Sequence, residues 1–132
     1  MKIYLNSENF PDANFRKALA WILGIREGDE ITEEMIAATT TLDVSKTRNT
    51  LAEEKIADLT GIEHFTALKV LVCVNNQLTT LDVSKNTALT ELVCYSNQLT
   101  SLNVSRCTAL TYLSCGINQL TSLDVSNNTA LT

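Results

Sequence analysis

From Leu68 onward the apolar positions of the chain recur every 21 residues. Leu68, Leu89, Leu110 and Leu131 keep that spacing, as do Leu71, Leu92 and Leu113, then Cys73, Cys94 and Cys115. Asn76, Asn97 and Asn118 follow, each with a glutamine after it. The second half of the unit repeats through Leu78, Leu99 and Leu120, then Leu81, Leu102 and Leu123, then Val83, Val104 and Val125. A period of this length marks supersecondary units that stack because none can bury its apolar face alone. In the unit that begins at Leu89, Leu92 and Cys94 alternate with Glu91, Val93 and Tyr95, the period-two pattern of a short strand with one face inward. Strands stacked about 4.8 Å apart predict a parallel sheet. They also predict a column of asparagine amides that satisfies backbone groups in adjoining turns.

Before Thr40 the spacing becomes helical. Asp12 is positioned to cap a helix with Phe15, Leu19, Ile22 and Leu23 on one face, and Gly24 to end it. Thr32 starts a second helix, with Glu33 and Glu34 at its positive end and Ile31 facing Ile36 as a hydrophobic staple. Two helices are expected to close the first turn, since a solenoid otherwise exposes its core at its ends. Residues 47–54 carry no apolar ladder and read as a polar insertion after Val44.

The nine residues from Leu89 fit L-x-x-L-x-L-x-x-N, with Cys94 in the third apolar place, and this is the leucine-rich repeat signature. The fold class is therefore an α/β solenoid, a right-handed superhelix with a parallel sheet and a helical N-terminal cap. We divide the single domain, 1–132, into a cap over 1–40 and repeats over 41–132 without a C-terminal cap. From about Thr41 to Thr132 the chain resembles the bacterial leucine-rich repeat family found on cell surfaces. The L-D-V-S and N-T-A-L-T text resembles the class whose second half-turn, here Leu99 to Val104, is itself extended. The turn from Ile56 to Leu68 is similar to the 22-residue internalin type with 3₁₀ pieces on its convex side. The segment from Asn9 to Arg16 resembles the helical cap that precedes such repeats. The resemblance implies a secreted or cell-surface protein and a role in adhesion or host contact, although the chain as given shows no signal peptide.

Charge narrows the partners. Fifteen acidic against ten basic side chains give a net charge of -5, which leaves no electropositive footprint for nucleic acid. The longest apolar stretch, Ala18 to Ile25, is too short to span a bilayer, so no membrane insertion is expected. No cofactor is expected either. The acidic segment from Ile25 to Glu34 is partly similar to a calcium loop, but with Gly28 at the sixth place the first and third ligand places fall on Leu23 and Ile25. Cys73, Cys94 and Cys115 occupy an inward column, where parallel side-chain vectors suit packing better than disulfides. Unpaired cysteines fit a reducing compartment or an anaerobic habitat. Cys107 stands where neighbouring turns have Asn86 and Asn128, and reads either as an exposed thiol or as a neutral substitution. His64 has no nucleophile or second base at reachable repeat positions, so no catalytic residue is assigned. Asp43, Asp82 and Asp124, with Asn103, read as an outward polar ladder on the second half-turn, relieved by Ser84, Ser105 and Ser126.

The outward strand positions vary while the frame repeats. Their columns are Val70, Glu91 and Tyr112; Val72, Val93 and Ser114; Val74, Tyr95 and Gly116; Ile117 flanks them. Valines and tyrosines in one uncovered patch have the composition of a protein-contact surface. We therefore expect a non-enzymatic binding module with a protein or peptide ligand on this face. The alternative is an assembly element whose last turn, through Leu113, Leu120, Leu123 and Val125, pairs with a second copy as a homodimer.

Overall fold

A computed structural model describes residues 1–132. The first layer is a small cap. Strands β1 (Ile3–Tyr4) and β2 (Glu30–Ile31) pair antiparallel, with helix α1 (Ala13–Leu23) between them in sequence. Asp12 caps α1 by accepting from Asn14 N and Phe15 N through Oδ1 at 2.9 and 3.1 Å. Gly24 ends the helix in the left-handed region, φ 68°, which costs glycine nothing. Phe15 and Leu19 are buried as the spacing predicts. Ile22 is not: it is 39% exposed, because the last turn of α1 stands beside the first strand of the main sheet across a groove. Helix α2 (Glu33–Ala38) follows, capped by Thr32 Oγ1, which accepts from Met35 N. The strand pair β1–β2 has no strong pattern in the sequence, since each strand has two residues.

The cap is locked to the first turn by both packing and hydrogen bonds. Phe10 is fully buried and meets Phe15, His64 and Phe65, at centroid distances of 5.7, 5.9 and 6.3 Å. Gly61, at φ 109°, makes this approach feasible, because a Cβ there would run into the Phe10 ring and the Asn9 carbonyl. The second oxygen of Asp12 accepts from Ala57 N and Asp58 N at 2.8 and 3.1 Å. Asn14 Nδ2 donates to the carbonyls of Glu53 and Lys55. Cap and repeats consequently share one hydrophobic core that continues from Leu5 to Leu110.

The main sheet is parallel and in register, in the order β3 (Thr41–Asp43), β4 (Val70–Val72), β5 (Glu91–Val93) and β6 (Tyr112–Ser114). Leu42, Leu71, Leu92 and Leu113 form its inward rung. Leu42 and Leu71 lie 29 residues apart rather than 21, because residues 47–54 add a polar turn and a 3₁₀ segment, Ala52–Glu54, to this circuit. The expected place of Asp43 is corrected by this register. Its L-D-V-S text lies in the first strand, where Asp43 pairs with Val72, and not in the second half-turn with Asp82. The turn before β4 has its 3₁₀ piece at Ile62–His64. The second half-turns are less regular than expected, since their only sheet pairing is the parallel bridge between Asp82 and Asn103. No helix is long and apolar enough to cross a membrane.

Candidate strand-face contact site

The outward side of β4, β5 and β6 is organised by the asparagine column beneath it. Asn97 Oδ1 accepts from Leu78 N at 3.1 Å, while its Nδ2 donates to the carbonyls of Cys73 and Cys94 at 2.9 and 3.0 Å. Asn76 and Asn118 repeat the scheme, accepting from Ile56 N and Leu99 N. The residue before each asparagine turns into the left-handed region: Asn75 at φ 58°, Ser96 at 61° and Ile117 at 50°. Asparagine tolerates that conformation, whereas a β-branched isoleucine is strained in it.

The face is only partly the open apolar patch that alternation predicts. Val70, Val72 and Val93 are half-buried, and Ser114 likewise. Val74 is a correction: it is 7% exposed. By register it lies between Ser45 and Tyr95, and its N–H reaches Ser45 Oγ at 2.9 Å. Glu91, Tyr95, Tyr112 and Ile117 are exposed, Ile117 to 77%. Thr41 and Asp43 join the face through β3, in the columns of Val70 and Val72. The sequence reading missed Thr41 and Trp21, which at 89% exposure is the most open aromatic side chain. An apolar residue at a helix position that breaks the buried stripe is the signal that could have found Trp21.

On the last turn Leu113 and Leu120 are half-buried, while Leu123 and Val125 are 37% and 39% exposed. Their counterparts Leu81, Leu102, Val83 and Val104 are buried.

All four cysteines are free. Burial pushes the Cys73 thiol far above its ordinary range, with Cys94 and Asp43 adding to the effect. Burial and the neighbouring Cys115 push Cys94 up to about 12. Such thiols stay protonated and unreactive. Cys107 is fully buried, which removes the exposed-thiol reading, and its Sγ lies 3.6 and 3.7 Å from the carbonyls of Val83 and Asn86. The exposed carboxyl of Asp82 is held below its ordinary value by the hydroxyl and N–H of Ser84. Asp124 is lowered in the same way by Ser126. His64 packs edge-on against Phe10.

No protein-family model matches the chain. Internalin J from two strains of Listeria monocytogenes is 47% identical over 77 residues, which cover 58% of the chain. The match spans 8% of those proteins' length. The solved functional domain of InlJ from Listeria monocytogenes, described as including a cysteine ladder, superposes on the whole chain with a TM-score of 0.88 at 44% identity. The chain covers 28% of it. The internalin InlF of the same organism gives a TM-score of 0.80 over the whole chain at 23% identity, and 44% of that structure is covered. The stacked turns, the parallel sheet and these likenesses define a bacterial leucine-rich repeat protein. More particularly, the chain is an internalin-like leucine-rich repeat, similar to internalin J; its own Cys73, Cys94 and Cys115 recur at the 21-residue spacing as free thiols.

Proposed function

We propose that the chain is a non-enzymatic binding module of a secreted or cell-surface bacterial protein, and that it holds a protein or peptide partner on its strand face. Ile117 carries this reading. It is an apolar, β-branched side chain kept exposed in a left-handed backbone, and neither its burial nor its conformation contributes to folding. Tyr95 and Tyr112 stand on the same face, and tyrosine gives large contact area at low entropic cost. Likeness to the internalins supports the adhesion-type setting.

The test is saturable binding of fluorescently labelled chain to purified host-surface proteins arrayed at known density. Tyr95→Ala combined with Tyr112→Ala is expected to weaken binding at least tenfold, with thermal unfolding unchanged. Lys85→Ala, on the other side of the repeat, is expected to bind as the parent does. Equal binding by the tyrosine variant would remove the strand face from the proposal.

A further inference from the structure

We propose that the free edge of β3 is a docking site for an extended acidic peptide. The peptide joins the sheet as an added strand and lays alternate side chains in the groove beside α1. This site uses main-chain groups at the edge of the sheet, so it stands independently of the strand face.

In a parallel ladder, successive residues of an edge strand direct their main-chain groups alternately toward the neighbouring strand and away from it. Thr40 O accepts from Lys69 N and Val70 N, while Val44 N and Lys46 N donate to the carbonyls of Val72 and Val74. Thr40, Leu42, Val44 and Lys46 therefore face β4. Thr41 and Asp43 turn their N–H and C=O groups outward, where no other element pairs with them. Both residues are exposed. The edge ends at Ser45, whose N–H is taken by Asp43 Oδ1 at 3.0 Å. It thus offers two donors and two acceptors at strand spacing, the requirement for strand addition.

The groove beyond this edge supplies the rest of a recognition site. Its far wall is Ala18, Trp21 and Ile22 of α1, and Trp21 and Ile22 are 89% and 39% exposed. Lys17 and Lys46 flank it. Against these two cations stands one carboxylate, Asp43, already engaged with Ser45 N. A locally cationic groove in a chain of net charge -5 selects an acidic partner.

Trp21 is the chain's only tryptophan, so its fluorescence reports on the groove alone. The probe is a blocked pentapeptide alternating glutamate and valine. Its titration is expected to shift Trp21 emission to the blue and to slow amide exchange of Thr41 and Asp43 at least tenfold. Two N-methylated forms of the peptide, one methylated on odd and one on even residues, separate strand addition from simple adhesion. One is expected to bind like the parent and the other at least tenfold more weakly. Thr41→Pro removes an outward donor without touching a bond to β4, a substitution edge strands tolerate. It is expected to weaken binding at least tenfold with Leu92 amide protection unchanged. Three results would each overturn the proposal: no change in emission or exchange at millimolar peptide, equal binding of both methylated forms, or protection of Thr41 and Asp43 that rises with protein concentration alone. The last would identify a second copy as the occupant.

Discussion

At position 117 the repeat places a residue that its own geometry disfavours. Asn75 and Ser96 fill the same left-handed place in earlier turns, at φ 58° and 61°, and both are small and polar enough to accept it. Left-handed backbone costs an L-residue about 1–2 kcal/mol, most of which asparagine avoids. Ile117→Asn is therefore expected to raise stability by about 1 kcal/mol in urea denaturation, and at the same time to reduce partner binding on the strand face. A loss of stability would mean that Ile117 packs usefully. The sequence showed that Ile117 lies outside the ladder, since alternation and period suffice for that. It could not show the backbone sign, which depends on how Asn118 reaches back to the carbonyls of Cys94 and Cys115. Val74 was misread for a related reason: alternation gives the side on which a residue stands, not what lies beside it. Cys107 illustrates a milder exchange. Asn86 and Asn128 each bury a side-chain oxygen without a partner, and a cysteine in that column leaves no such oxygen behind.

Among the elements, α1 was the most legible, because Asp12, the stripe of Phe15 and Leu19, and Gly24 are all local signals. The second use of Asp12 was not. One oxygen closes the helix and the other binds the N–H groups of Ala57 and Asp58, residues more than forty positions away, for which no periodicity exists. Removing the carboxylate should therefore cost more than a cap alone, which is worth about 1 kcal/mol. Asp12→Ala is expected to destabilise the chain by about 2–4 kcal/mol, adding the loss of charge-assisted bonds to the turn. Chemical denaturation measures this, and hydrogen exchange should show the turn at 57–58 loosening together with the start of α1. A cost near 1 kcal/mol would mean that the cap and the turn dock without these bonds. β3 was not legible as a strand of the main sheet: its L-D-V-S text is shared with the second half-turns, and it was assigned to one of them. Only the eight-residue insertion from Thr47 to Glu54 separates the two settings, and its length is not a pattern that hydrophobic periodicity can weigh.

For the molecule as a whole, the solenoid and its sheet followed directly from the repeat, whereas the small β1–β2 pair and the open wall of α1 did not. The asparagine column has an evolutionary consequence. Asn76, Asn97 and Asn118 each secure their turn to the one before by the same acceptor and donor scheme. Deleting one 21-residue unit, or duplicating it, would bring together ends that already fit. A gene of this kind can lengthen or shorten its product by whole turns and so resize its recognition surface, while each junction keeps the bonds it had before.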